Sequence, residues 1–158
     1  MYCLDTNVLI NSWYFWYTPK SHPTFWKGIE ELAKQNKLGF PPQVYEELAE
    51  QKDDLFEWCK SRKEHLILEA TDQSEEILVA LVNEFPDMVG ELGAGSSYAD
   101  LYVIATAESL GWTVVTMEDF SKSSNRRKWR IPNVCQNRGV PFMQPYKLIQ
   151  EEEWIFRH

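Results

Sequence analysis

The sequence is poor in cysteine and histidine and has no long apolar run. Its three cysteines, Cys3, Cys59 and Cys135, lie far apart without a C-x-x-C pair, which argues against both a zinc ribbon and a disulfide framework. No window approaches the ~18 uncharged apolar residues of a membrane span, and no basic segment followed by an apolar block opens the chain. We therefore expect a soluble, cytoplasmic protein that acts without a membrane.

Basic residues are also in the minority. The chain has 16 Lys and Arg against 24 Asp and Glu, which gives a net charge of −8. Such a chain is not a general binder of phosphate backbones, which are held mainly by Lys and Arg. A nucleic-acid role then requires metal ions at the site or a local basic patch. The length of 158 residues and the 44% hydrophobic content predict one globular domain spanning residues 1–158.

Short apolar strands alternate with helical stretches along the chain. We expect strands at residues 2–4, 38–40, 65–70, 112–116 and 142–143, with helices between them. This alternation predicts an α/β domain with a central parallel sheet and helices on both faces.

Acidic residues follow or face the ends of several predicted strands. In open α/β sheets, ligands bind outside the carboxyl ends of the strands. Carboxylates that converge there repel one another, and a bound divalent cation relieves the repulsion. Oxygen ligands favour Mg²⁺ or Mn²⁺ over zinc. The candidate positions are Asp5, Glu46 or Glu47, Asp100, and Glu118 or Asp119.

Each of these acids, taken singly, also has a purely structural explanation. Asp5 is suited to cap the helix that follows it. Ser97 and Asp100 match a capping box, and Glu46 with Glu47 fits a solvated helix face. The common order and placement of the acids nevertheless favour one shared site.

The segments around these acids resemble the motifs of PIN-domain proteins. L-D-T-N-V-L-I over residues 4–10 resembles the first motif, in which an Asp ends the first strand. V-Y-E-E-L over residues 44–48 resembles the second motif and selects Glu47, with Glu46 as the alternative. A-D-L over residues 99–101 resembles the third motif.

The fourth motif departs from the pattern. T-M-E-D over residues 116–119 resembles the usual Thr-x-Asp, but Glu118 takes the position of the Asp, and Asp119 is the alternative. The resemblance extends over nearly the whole chain. It is strongest to a little-characterised prokaryotic PIN-like branch similar to the VapC toxins of VapBC toxin–antitoxin pairs.

The resemblance implies a three-layer α/β/α PIN-like fold with a central, mostly parallel sheet. It also implies a Mg²⁺- or Mn²⁺-dependent endoribonuclease in which Asp5, Glu47, Asp100 and Glu118 are catalytic. Asp5, Asp100 and Glu118 are then the metal ligands, and Glu47 binds a second ion or orients the attacking water. Thr116 is positioned to hydrogen-bond a carboxylate or a metal-bound water. The expected partners are RNA as substrate and, as options, a small antitoxin protein and a second copy of the chain.

Two other functions compete with this interpretation. The first is a PIN-like RNA-binding module with weak or no activity, which the net charge of −8 and the Glu118 substitution favour. The second is a phosphatase of the haloacid-dehalogenase type, which also has an Asp after its first strand. That class requires a second Asp two residues later, where this chain has Asn7, and it requires a downstream Lys and a paired-Asp motif that are not found.

Two further segments carry alternatives. The five consecutive aromatic residues at 13–17 fit a buried core, a protein–protein interface or a surface on which bases stack. A polar segment after the fourth motif fits a solvated loop or a loop that contacts phosphates. Its basic residues are Lys122, Arg126, Arg127, Lys128 and Arg130.

Overall fold

The centre of the protein is a four-stranded parallel sheet. The computed structural model describes residues 1–93 and 98–156. Its strands are β1 (Tyr2–Leu4), β2 (Leu38–Gly39), β3 (Thr113–Val115) and β4 (Phe142–Met143), in the spatial order β2-β1-β3-β4. All three strand pairs are parallel, which confirms the predicted α/β fold with a central parallel sheet.

Helices connect and flank the strands. Within the described residues, no helix is both long and apolar enough to cross a membrane. The α-helices are α1 (Thr6–Asn11), α2 (Pro23–Lys34), α3 (Pro42–Ala49), α4 (Asp54–Lys60), α5 (Lys63–Leu66), α6 (Asp72–Glu84), α7 (Asp100–Leu110), α8 (Ile131–Arg138) and α9 (Pro145–Glu151).

The two central strands are buried along their length. Cys3 and Leu4 of β1 and Val114 and Val115 of β3 are fully inaccessible to solvent. Uninterrupted apolar sequence of this kind is typical of parallel strands covered on both faces. Helix α7 contributes buried side chains to the same core and contacts both central strands. The carboxyl ends of β1 and β3 are therefore held in fixed positions relative to α7.

The strand predicted at residues 65–70 is largely wrong. The chain is helical over α5, where the N–H of Leu66 donates to the carbonyl of Arg62. Only Ile67 pairs with Phe40, as an isolated parallel bridge. The helical turn uses the backbone groups that a longer strand would need, so the sheet gains one bridge beside β2 instead of a fifth strand.

The aromatic segment is not one continuous α-helix. α1 ends at Asn11, and the chain continues as a π-helix over Ser12–Trp16. Trp13 packs edge-on against Trp26, with ring centroids 4.9 Å apart. The next three rings face solvent, with exposed fractions of 46% for Tyr14, 74% for Phe15 and 64% for Trp16. The core interpretation is therefore correct for Trp13 and wrong for these three.

Candidate active site

The carboxyl ends of β1 and β3 meet side by side. Leu4 pairs with Val115, and the N–H of Asp5 donates to the Val115 carbonyl at 3.0 Å. Thr116 directly follows β3, and its hydroxyl donates to Asp5 Oδ2 at 3.0 Å. Both side chains are buried, with 2% and 1% exposure. Asp5 precedes α1, and its carboxylate accepts from the Thr116 hydroxyl and from the Thr6 backbone N–H rather than making a regular N-cap bond further into the helix.

Glu47 links the first and third motifs. Its Oε1 accepts a hydrogen bond from the Thr6 hydroxyl at 3.2 Å and another from the Ala99 N–H at 3.1 Å. Glu46, the alternative, points elsewhere and accepts from the Tyr98 hydroxyl at 2.6 Å. One carboxylate of α3 thus holds the start of α1 beside the start of α7.

Glu118 and Asp119 also diverge. The N–H of Glu118 donates to the Thr116 hydroxyl at 3.1 Å, and Glu118 Oε2 accepts from the N–H of Ile131, the first residue of α8, at 3.0 Å. Asp119 instead accepts from the Gln144 side-chain amide at 2.9 Å. Glu118 is therefore fastened to the acidic edge of the sheet, and Asp119 faces the connection between β4 and α9.

Asp100 is the first residue of α7 and is only 6% exposed. Its carboxylate has no hydrogen bond with the described residues that would favour its charge. Ser97, the predicted capping partner, lies outside the described residues. The residue that precedes α7 is Ala99, whose side chain has no capping group.

The four acids act on one another electrostatically. Burial raises the pKa of Asp5, and the charges of Glu118 and Glu47 raise it further, while the Thr116 hydroxyl opposes the shift. Burial also raises the pKa of Asp100, with added repulsion from Asp5, Glu118 and Glu47. The pKa of Glu47 is raised by burial and opposed by its two hydrogen bonds. Asp5 and Asp100 therefore lie within electrostatic range of Glu47 and Glu118.

The donor atoms of this group suit a hard cation. All are carboxylate oxygens, the ligand type that Mg²⁺ and Mn²⁺ prefer, and the buried Asp100 carboxylate has no hydrogen-bonding partner among the described residues. Across residues 1–93 and 98–156, no three His, Cys, Asp or Glu side chains already stand in a metal-holding arrangement. The residues therefore fit such an ion in kind, but the described side chains are not arranged to hold one.

A cleft opens beside Glu118 and Asp119. Its volume is about 490 Å³, and its walls include Thr116, Glu118, Phe120, Met143 and Lys147. Lys147 forms no ion pair with another described residue, so its charge is available to a ligand in the cleft. The cleft thus carries the carboxylate of Glu118 and the ammonium group of Lys147 on its walls. Asp5, Glu47 and Asp100 are not among its lining residues.

The basic loop is partly neutralised by neighbouring acids. Arg126 pairs with Glu84 at 3.2 Å and lies over the rings of Phe85 and Trp129. Arg127 lies 3.7 Å from Asp87. Contact between this loop and RNA phosphates stays a prediction, and these two arginines would have to exchange partners to make it.

Sequence reasoning missed the groups that orient the acids. Thr6 was visible only as part of a helix-start pattern, and the bond from the Ala99 N–H has no side-chain signal. Gln144 lies far from the motifs, and nothing in its local sequence marks it. These partners are set by the pairing of distant segments.

The fold and the acidic edge define an α/β protein consistent with a PIN-like fold. The chain belongs to the family described as Domain of unknown function (DUF4411), whose model matches residues 2–156. No curated protein matches it. A solved structure, VapBC2 from Rickettsia felis bound to a DNA fragment from its promoter, is similar, with a TM-score of 0.53 and 17% sequence identity. The match covers 90% of this chain and 97% of that chain.

The raised pKa values predict that the metal-free protein loses stability as the pH rises. A carboxyl group with a folded pKa above its unfolded pKa binds its proton more tightly when folded. Its contribution is complete below the unfolded pKa, about 4, and is lost as the pH rises through the folded pKa. Asp5 and Asp100 are both shifted this way. In the presence of chelator, the Tm should fall between about pH 5 and about pH 9.

The matched variant is Asp5→Asn combined with Asp100→Asn. It should flatten this pH dependence and raise the Tm at alkaline pH, because the repelling charges are gone. A wild-type Tm that is level or rises over the same range would contradict the mutual repulsion of the acids.

Proposed function

We propose that this protein is a Mg²⁺- or Mn²⁺-dependent endoribonuclease that hydrolyses RNA phosphodiester bonds and acts as the toxin of a toxin–antitoxin pair. The strongest support is the convergence of four carboxylates from separate motifs at the carboxyl edge of the sheet. Their mutual repulsion and burial are the conditions that a divalent cation relieves. The similarity in fold to VapBC2 from Rickettsia felis supports the same class of protein.

In this proposal Asp5, Asp100 and Glu118 hold the cation. When bound, the ion supplies an acidified water and stabilises the negative charge that develops on the phosphate. Thr116 fixes the orientation of Asp5 through its hydroxyl. The raised pKa of Asp100 means that it carries a proton at Oδ1 or Oδ2 without metal and releases it when the ion binds.

Glu47 has a second role that follows from its hydrogen bonds. It holds the Thr6 hydroxyl and the Ala99 N–H on one oxygen, and these residues directly follow Asp5 and precede Asp100. The second oxygen of Glu47 is left to orient a water or a second ion. Glu47 therefore keeps the two buried aspartates at a fixed separation.

We expect substitutions of the acids to abolish cleavage. Asp5→Asn and Asp100→Asn should each lower the rate of RNA cleavage by orders of magnitude while the protein stays folded, because each removes a ligand charge. Thr116→Val should lower it by about 10- to 100-fold, the usual effect of losing a group that orients a metal ligand. The measurement is the initial rate on a mixed RNA pool with Mg²⁺ or Mn²⁺.

Glu47→Gln should also lower the cleavage rate, because it removes the charge that holds the Thr6 hydroxyl and the Ala99 N–H. Glu46→Gln is its matched control. It neutralises a neighbouring acid on the same helix whose partner is Tyr98, so it should keep the wild-type rate. Cleavage that persists in Asp5→Asn would contradict the nuclease assignment. RNA binding without cleavage by the wild-type chain would favour the inactive RNA-binding module instead.

The toxin role makes a separate prediction. Induced expression of the wild-type chain in a bacterial host should arrest growth, because uncontrolled RNA cleavage stops protein synthesis. The Asp5→Asn chain, expressed to the same level, should leave growth unchanged. Growth arrest by both chains, or by neither, would contradict a toxin that acts through this site.

A further inference from the structure

A second cleft adjoins the acidic one. Its volume is about 430 Å³, near the lower end of the ~300–1,000 Å³ range of small-molecule sites. Aromatic rings, side-chain amides and one carboxylate line it. They are Trp16, Tyr17, Tyr146, Asn11, Gln144 and Asp119.

The two clefts are adjacent. Asp119, Gln144 and Tyr146 line both of them, so they form the boundary that the clefts share. A polymer chain whose phosphate lies at Glu118 therefore reaches the second cleft within a short distance. The second cleft therefore lies beside the acidic cleft, on the side where Asp119, Gln144 and Tyr146 form the shared wall.

The aromatic wall is exposed but held in place. Trp16 is 64% exposed and Tyr146 is 50% exposed, so both rings are accessible to a ligand. The π-helix ends at Trp16, and the N–H of the next residue, Tyr17, donates to the Ser12 carbonyl at 2.8 Å. The Tyr17 ring stacks on Phe25 with centroids 4.7 Å apart. The end of the π-helix is thus fastened to the core, and Trp16 projects from a fixed turn.

The polar groups of the cleft suit the edge of a base better than a phosphate. The Asn11 amide makes no hydrogen bond with the described part of the chain, so it is free to donate and accept. Gln144 donates its amide N–H to Asp119, which leaves its carbonyl oxygen free. The Asp119 carboxylate repels phosphate. The side chain of Lys147 lines the acidic cleft and not the second one. Its Nζ lies 6.0 Å from the Tyr146 ring centroid.

We propose that this second cleft is a nucleobase subsite. It takes one unpaired base of the RNA strand, next to the phosphate held at the acidic cleft, and stacks that base on Trp16 or Tyr146. The subsite rests on the proposed ribonuclease function, because it assigns the strand's phosphate to the acidic edge. Stacking on an aromatic ring tolerates any base, and the two amides then add a preference among bases.

Binding of single-stranded RNA to full-length variants tests the subsite. The background is Asp5→Asn, which prevents cleavage of the probe. Trp16→Ala and Tyr146→Ala are compared with Phe15→Ala, which removes a more exposed ring of the same π-helix that does not line the cleft. At least one of the first two should weaken affinity by roughly 5- to 150-fold. Phe15→Ala should keep the background affinity.

A probe with one abasic position locates the base. When the base at a single position is removed, the background protein should lose affinity by a factor similar to that of the ring variant. The ring variant itself should show no further loss on the abasic probe. Trp16→Phe and Tyr146→Phe should restore binding, because each keeps a ring, and thermal unfolding confirms that the alanine variants are folded.

Each outcome decides between the two proposals. Equal affinities for all three alanine variants, or an equal loss in Phe15→Ala, overturns the subsite and leaves the nuclease function intact if the wild-type chain cleaves RNA. Selective loss in the ring variants without any cleavage by the wild-type chain supports the subsite as a base-binding cleft and overturns the nuclease. A wild-type chain that neither cleaves nor binds RNA overturns both.

Discussion

The parallel pairing of β1 with β3 is the constraint on which the site depends. It places Asp5 and Thr116 at adjacent strand ends, where the Thr116 hydroxyl donates to Asp5 and receives the N–H of Glu118. Residues more than a hundred positions apart thereby share one hydrogen-bonded unit. A shift of this register by one residue would turn Thr116 to the other face of the sheet and separate Asp5 from Glu118. The position of the site therefore depends on the register between the two central strands of the sheet.

The same arrangement is electrostatically unfavourable without a counterion. Burial and mutual repulsion raise the pKa of Asp5 and Asp100, so the folded chain holds protons that an exposed aspartate would release. Proteins commonly place perturbed carboxyl groups of this kind at functional sites. Glu47 limits the cost by tying the segments together with two hydrogen bonds to one oxygen. If stability alone mattered, an apolar side chain would be favoured at position 100 over the buried carboxylate of Asp100.

The alternation of strands and helices was enough to predict the parallel sheet, because the apolar runs at residues 2–4, 38–40, 112–116 and 142–143 contain its four strands. The run at residues 65–70 is the exception, since it begins in the helix α5. The order of the acids predicts that they converge, and the charges of the other predicted acids raise the pKa values of Asp5 and Asp100. The choice between Glu46 and Glu47 depends on how α3 is rotated against its neighbours, since successive helix residues point about 100° apart. The outward turn of Trp16 follows from a π-helix that an aromatic run does not signal. Gln144 reaches Asp119 only because β4 pairs with β3.

The most direct test is a crystal structure of the wild-type protein with Mn²⁺, whose anomalous scattering locates the ion without ambiguity. The central claim is that the carboxylates at the edge of the sheet form a centre for a divalent cation. It predicts an anomalous peak in direct contact with Asp5, Asp100 and Glu118, with Asp119 still bonded to Gln144. At a saturating Mn²⁺ concentration, the absence of a peak at this edge, or a peak bound by other side chains, would contradict the claim.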